Sequence, residues 1–596
     1  MFFLNTIQYI TGTASLVLRS LERAQKVSLG LALLLMFIAG SLTNIPTIAI
    51  GSLVDSMFQE RCPTFSTAIP FLLVIAVSIV LREIIKIIHK YIVENTCTQL
   101  EKKALVKLVN HILLLKIDYY TGIQVGALNG RMHRSLEGLI KLVKLLFLDF
   151  APSTIAAVLA IVIAFVKLPT LGCVMVLAIP TTLLIVFWQI HSQAGIRLSL
   201  LHNKERIDGK VVELLSGIET VRSQHADKYE VEKVENLAEQ LRSKELQHHY
   251  EMSIYDCLKY LNEGMFHIGV MVLSIYFAAN QTISVGDILT YSLLFVNAMA
   301  PLREIHRILD ELHESSLRVQ LYDELLNIPK DKSFMISNSI LDEQNISPTN
   351  VLRKKKEAIA FRDVSYGYRE NVSNESILKN ISLEINEGEV IGIAGASVCG
   401  KSTLLKLILG FDYAQKGIIK INNMDIRDYD RSQISCLIGY VPQFPFIFSG
   451  TIEENVLYGS ENTSIHSVIE ACKQACIHEE IMRMENGYKT IVAERGQSLS
   501  GGQRQRLAIA RMLLLDRKII LLDEATSALD NISENNVLNN IDKQTDGHTL
   551  LIVAHRLTTL RRADRILVFE NGNIVEEGTY DALQEGNGPF SRSKNV

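Results

Sequence analysis

Before residue 310 the chain carries six apolar stretches that each approach the length of a bilayer crossing, and they limit its fold more than any other feature. They run over Val27–Ile50, Phe65–Ile88, Leu145–Val166, Leu171–His191, Asn262–Asn280 and Ile283–Arg303. Any one alone reads equally well as a buried helix of a soluble protein. Six together, with basic residues sorted by loop, read as membrane spans. Arg82–Lys144 and Arg197–Lys259 are rich in Lys and Arg, whereas the loops near Gln59–Ser66, Lys167–Thr170 and Gln281–Ser284 carry at most one each. This bias places both termini and the two long loops in the cytoplasm. The mean hydropathy of +0.20 averages this half with a mixed, turn-rich second half.

The long basic loops also have helical spacing, over Glu94–Leu115 and Leu201–Glu251, with no proline. The spans are therefore expected to continue into the cytoplasm and turn back near Asp118–Gly126 and Gly217–Tyr229. Those turns are candidate contact points for a cytoplasmic domain. Met1–Ser20 is apolar but has no basic residue before the run and no small-residue cleavage pattern; Arg19, Arg23 and Lys26 follow it. An interfacial helix over residues 1–25 is expected, then an all-α six-helix transmembrane domain with long cytoplasmic extensions over 26–326. Pro329–Lys356 is polar and ends in Arg353-Lys-Lys-Lys356, which reads as a linker within 327–357. From Ala358, short β-type runs alternate with helical patterns, so 358–596 reads as an α/β domain with a largely parallel sheet.

A net charge of -4 argues against a nucleic-acid-coating protein and for no nucleic-acid partner. The eight cysteines show no paired framework. Cys472, Cys476 and His478 lack a fourth ligand, and they read as packed side chains in a reducing compartment rather than a zinc site.

Three motifs carry chemistry. The apolar strand ending at Ile393 runs into Gly395, Ala396, Ser397, Val398, Cys399, Gly400, Lys401, Ser402 and Thr403, a match to GxxxxGK[ST] before the helical run Leu404–Leu409. Backbone N–H groups of such a loop cradle phosphates at a helix N-terminus. Lys401 is placed to reach the β- and γ-phosphates and Ser402 to ligate Mg²⁺. Second, Lys518–Glu524 is an apolar run ending in two acids, which a buried parallel strand would present at its C-terminal edge. Asp523 suits the Mg²⁺ shell, and Glu524 suits polarising an attacking water. The bland alternative is a strand followed by a helix cap. Third, Leu499 precedes Ser500, Gly501, Gly502 and Gln503 at the start of the helical run Arg504–Leu515, giving a second anion site without a lysine.

The order P-loop, LSGGQ, Asp-Glu resembles the ABC ATPases. The whole chain, membrane half first, resembles an exporter-type ABC half-transporter. The resemblance implies ATP and Mg²⁺ as ligands and catalytic roles for Lys401, Glu524 and His555. It further implies adenine stacking by Tyr368, Mg²⁺ and γ-phosphate sensing by Gln443, and a contact to the membrane domain through Glu494. Ser527–Asp530 matches the loop that crosses between two ATPase domains. Val398 departs from the family glycine in the P-loop, and a β-branched residue there resists positive φ. Because LSGGQ serves the other domain's ATP in this family, the implied unit is a second copy of the chain or a related half-transporter. The implied setting is a lipid bilayer, and with no evident organelle-targeting segment a bacterial inner membrane is expected. Three other readings stand beside this one: a soluble ABC ATPase, an exporter-fold importer, and an ABC-fold regulator or channel without coupled transport. Asp149, Gln189, Glu263, His267, Asn297 and Arg303 are the candidates to line a transport cavity.

Overall fold

The computed structural model describes residues 21–59, 65–121, 125–335, 357–367, 376–396, 399–460, 463–493, 496–544 and 547–592. The chain divides into two compact units. One comprises residues up to Leu113 together with Gln124–Ile328; the other comprises Leu114–Ile123 together with Pro329–Val596.

The first unit is helical: α1 (Arg23–Gln59), α2 (Phe65–Leu113), α3 (Val125–Lys144), α4 (Ala151–Lys167), α5 (Pro169–Ser216), α6 (Asp227–Ala279) and α7 (Val285–Asn327). Among the described residues, five helical segments are long and apolar enough to cross a membrane. In addition, the first third of α2, Phe65–Leu81, contains no charged residue and leaves Leu72, Leu73, Val77 and Val80 exposed. A π-helical turn, Leu145–Phe150, joins α3 to α4, a detail that hydropathy does not reveal. The short loop before α5 works because Leu168 is extended and Pro169 takes the first helical position, where its missing N–H costs nothing. Gly217 closes α5, a short helical turn Ile218–Ser223 follows, and α6 starts at Asp227.

Packing inside this unit relies on small residues. Ala157, Ala160 and Ala164 of α4 are buried, and α4, α5, α6 and α7 share a core that includes Met175, Val270, Tyr291 and Phe295. At one end of α1, backbones approach so closely that a Cβ on Gly286 would lie 1.9 Å from the Gly51 carbonyl oxygen. Asp55 closes that junction by accepting from the Ser284 hydroxyl (2.5 Å) and the Gly286 N–H (2.7 Å). Ser284 and Asp287 form a reciprocal capping box at the start of α7.

Most of the candidate cavity residues have partners across helices. Asn297 donates to Asn44 (3.1 Å), His267 meets Ser292 (2.8 Å), and Gln189 donates to the Met252 sulfur (3.1 Å). Glu263 accepts from Arg303 Nε at 2.9 Å. Such pairs join the helices as polar contacts within an apolar solvent.

The second unit contains a six-stranded sheet in the order β12-β11-β3-β10-β9-β6. Its strands are β3 (Val390–Gly395), β6 (Ile438–Val441), β9 (Ile519–Asp523), β10 (Thr549–Val553), β11 (Arg565–Glu570) and β12 (Asn573–Gly578). All neighbours are parallel except β11 with β12. β9 and β10 are buried throughout, as a sheet covered on both faces requires. Their side chains alternate between two cores. Ile519 and Leu521 join one core with the helix α8 (Lys401–Ile408), while Ile520 and Leu522 join the other with α9 (Gly501–Leu515). A smaller antiparallel sheet, in the order β2-β1-β4-β5, uses β1 (Glu357–Tyr366), β2 (Leu378–Asn386), β4 (Lys416–Ile421) and β5 (Met424–Asp425), and β7 (Gly450–Thr451) pairs separately with β8 (Ile491–Val492).

The stretch Leu114–Ile123 belongs to this second unit although it interrupts the first in sequence. Leu115 is buried and bridges Lys330, and the Asp331 N–H donates to the Leu114 carbonyl (2.8 Å). Part of the turn expected near Asp118–Gly126 lies here as the helical turn Asp118–Thr121. Residues 1–20 and 336–356, which hold most of the expected interfacial helix and linker, lie outside the described residues.

Candidate functional site

Four neighbouring parallel strands, β3, β10, β9 and β6, end on one edge of the sheet, where open α/β folds place their ligands. Each delivers a motif residue there: β3 leads into the P-loop, β9 ends at Asp523, β10 leads to His555 and β6 leads to Gln443. Register keeps them level, with Val553 beside both Asp523 and Ile393, and Val441 beside Leu522.

In the P-loop, Gly395 (φ +149°) and Gly400 (φ +108°) occupy backbone conformations that side chains resist. A Cβ would meet the Phe569 carbonyl at 2.4 Å and Leu378 at 2.7 Å respectively. Gly400 caps α8, whose first residue is Lys401. The Lys401 ammonium is buried and folds back to donate to the carbonyls of Gly395 (2.7 Å) and Ala396 (2.8 Å). Cys399 is buried beside it, its sulfur 3.9 Å from the Lys401 nitrogen. Ser397 and Val398 lie outside the described residues, as do Tyr368 and Glu494.

The Ser402 and Tyr440 hydroxyls lie beside the Asp523 carboxyl. Burial, followed by the adjacent Glu524 charge, pushes that carboxyl above the usual range, and the Ser402 and Tyr440 hydroxyls and Lys401 offset part of this. Glu524 has a left-handed backbone (φ +48°), held by its N–H donating to the Val553 carbonyl (3.0 Å). Its carboxylate receives the Gln443 amide at 2.5 Å and the His555 Nε2 at 2.7 Å. Glu524, Gln443 and His555, predicted from distant motifs, thus meet at one carboxylate.

Ser500–Gln503 opens α9. Gln503 N–H donates to the Ser500 hydroxyl (3.2 Å), and Ser500 N–H donates to the Gln503 side-chain oxygen (2.9 Å). Gly501 and Gly502 pass close to Ala528 and Leu529, with an added Cβ on Gly502 only 3.2 Å from the Ala528 carbonyl.

Sequence reasoning missed three residues. Gln505, almost fully buried, donates to Ser527 (3.0 Å) and accepts from the Ala528 N–H (2.9 Å), tying α9 to the loop after Glu524. Its available signal is a polar residue just ahead of the buried positions Leu507, Ala508 and Ile509. Glu534 is buried in α10 (Asn531–Gln544), where it accepts from Thr526 (3.0 Å) and Thr559 (2.6 Å) and pairs with Arg556. Glu480 accepts from Gln503 (3.0 Å) and pairs with Arg506 (2.6 Å). Nothing local in sequence marks the last two. As for the cysteines, Cys472 is buried, its thiol pushed up to about 11 by burial, and His478 hydrogen-bonds Tyr488 (2.9 Å).

The family model of the ABC transporter transmembrane region matches residues 29–302, and that of the ABC transporter matches 378–527. The mitochondrial iron-sulfur clusters transporter atm1 of Neurospora crassa is 30% identical over 504 residues, covering 81% of this chain and 67% of that protein. The alpha-hemolysin translocation ATP-binding protein HlyB of Escherichia coli O157:H7 is 30% identical over 524 residues, covering 86% and 70%. A solved bacterial Atm1-family ABC exporter with ATP bound has the same fold, with a TM-score of 0.82 over 96% of this chain and 99% of that one, at 23% identity.

The chain belongs to the ABC transporters. Within them it has the exporter-type half-transporter layout: an integral membrane protein whose helical transmembrane domain precedes an ATPase domain coupled to transport.

Proposed function

We propose that two copies of this chain pair in the membrane and that each ATP binds between the P-loop of one copy and Ser500–Gln503 of the other. The observation that best supports a hydrolytic ATP site in this reading is the convergence of Gln443 and His555 on Glu524, next to Asp523 and Lys401; the pairing of copies follows from Ser500–Gln503 carrying no lysine of its own. In this reading Lys401 exchanges the Gly395 and Ala396 carbonyls for the β- and γ-phosphate oxygens. Glu524 accepts a hydrogen bond from the attacking water and aims it at the γ-phosphorus, as the bond to ADP breaks. His555 donates to the γ-phosphate, and Tyr368 stacks on the adenine.

Ser402, Gln443 and Asp523 supply a hydroxyl, an amide oxygen and a carboxylate, a hard-oxygen set that suits Mg²⁺. The raised Asp523 carboxyl fits this role, since a cation beside it offsets the cost of its burial. Mg²⁺ held there neutralises charge on the phosphates. The P-loop from Gly395 to Thr403, with Ser397, Val398 and Cys399 between, forms the phosphate cradle through its backbone.

The domain limits in this reading are 1–25, 26–326, 327–357 and 358–596, with Leu114–Ile123 contributed to the ATPase. The basic stretches Arg82–Lys144 and Arg197–Lys259 support an orientation with the ATPase domain in the cytoplasm, and in this reading the membrane is a bacterial inner membrane. Closure of the paired ATPases on ATP and reopening after hydrolysis drive a central cavity between inward and outward access. The test is ATP hydrolysis by the purified chain in lipid nanodiscs, together with the mass of the assembly. Two identical chains, turnover in the wild type and at least a hundredfold loss in Glu524→Gln with ATP still bound are expected. Near-normal turnover in that variant overturns the assignment of Glu524, and two different chains overturn the homodimer.

A further inference from the structure

We infer that Glu480 is a positioning residue for the phosphate-gripping end of α9, setting how tightly Ser500–Gln503 closes on ATP. The inference rests on the ATP-sandwich reading and deepens it. Both oxygens of the Glu480 carboxylate are committed. One receives the Gln503 side-chain N–H₂ at 3.0 Å, and the other pairs with Arg506 at 2.6 Å.

Each partner is itself tied to the motif backbone. The Gln503 side-chain oxygen accepts from the Ser500 N–H (2.9 Å), so Glu480 decides which way that amide faces. Arg506 also donates to the carbonyls of Gly502 (3.3 Å) and Cys476 (2.8 Å), so Glu480 holds the guanidinium that braces the second motif glycine. One carboxylate therefore fixes both flanks of a four-residue segment whose remaining N–H groups are the anion donors.

The charges are matched to this task. Arg506 is mostly buried, and its positive charge neutralises Glu480, which would otherwise repel a phosphate approaching the same helix end. Desolvation works against the Glu480 anion, but the Gln503 and Arg506 hydrogen bonds outweigh it and hold its carboxyl below the usual range. The bridge is accordingly intact at neutral pH. Preorganising a loop in its bound form lowers the cost of ordering it when ligand arrives.

The experiment compares full-length wild type, Glu480→Ala, Glu480→Gln, Gln503→Ala and the Glu480→Ala/Gln503→Ala double variant in nanodiscs. It measures KM and kcat for ATP, thermal stability, and binding of a fluorescent ATP analogue under conditions without hydrolysis. Glu480→Ala should raise KM about tenfold, the size expected for losing a charge-assisted hydrogen bond. Its kcat should fall less than threefold, and thermal stability should stay within a few degrees. Glu480→Gln keeps an acceptor for Gln503 and should recover part of the KM. The double variant should be no worse than the worse single, because both act through one amide.

A KM within twofold of wild type in Glu480→Ala overturns the inference. So does an additive double variant accompanied by a fall in stability matching the fall in activity, which assigns Glu480 to structural support alone. Absence of ATP turnover in the wild type overturns the ATP-sandwich reading instead, and is read before any variant.

Discussion

Asp523 shows how a site residue is assembled at a cost to the fold. Its carboxyl is buried at the end of β9, beside Glu524, and both effects favour the protonated acid. A carboxyl whose pKa is raised on folding stabilises the fold below the ordinary Asp range, near about 4, and that contribution is lost as pH rises through the raised value. Nucleotide-free protein is therefore expected to melt at lower temperature as pH climbs across that window. Asp523→Asn should flatten the slope, and saturating Mg²⁺-ATP should reverse it in the wild type. Differential scanning fluorimetry of both proteins across pH checks this, and parallel curves for the two would show that Asp523 contributes nothing to the slope.

Elements explain what was legible in sequence and what was not. The P-loop, the LSGGQ segment and the Asp-Glu pair are contiguous runs whose chemistry follows from their own residues. Their meeting at one sheet edge follows from parallel strands with hydrophobic, doubly covered faces. Glu480 and Glu534 could not be read this way, because their roles depend on partners contributed by other elements. Glu534 binds α10 to the loop after β9 through Thr526, to the loop after β10 through Arg556, and to the short helix Leu557–Leu560 through Thr559. Its loss should leave Arg556 without its buried acceptor. Glu534→Ala is expected to destabilise the ATPase unit by about 2 kcal/mol, the scale for removing a charged acceptor from the buried Thr526 and Thr559 hydroxyls, as read by denaturant unfolding followed in that unit. In the helical half, the apolar runs read from hydropathy fall within long helices, five of them apolar enough to cross a membrane among the described residues. Hydropathy was silent on the π-helical turn at Leu145–Phe150, which no composition rule marks.

On the scale of the whole molecule, the ATPase unit is discontinuous in sequence. Leu114–Ile123 joins it from within the helical half, through buried Leu115, its bridge to Lys330 and the bond between Leu114 and Asp331. Asp118 in this segment faces Asp412, and burial followed by that carboxylate raises its pKa. A fragment spanning 329–596 should therefore be less stable than the same fragment given a peptide of residues 112–123. A rise in melting temperature with peptide concentration checks this, and no rise would show that the segment is only laid against a finished fold. The consequence extends to synthesis on the ribosome. The segment leaves the tunnel roughly two hundred residues before the strands it joins, and domains fold as they emerge. On the expectation that the peptide raises stability, the ATPase unit completes itself only by recapturing a stretch already committed to the helices on either side, and its last folding step is contingent on their correct insertion. A chain whose first spans insert wrongly would carry an unfinished ATPase, a defect that quality-control proteases can recognise before any ATP is consumed.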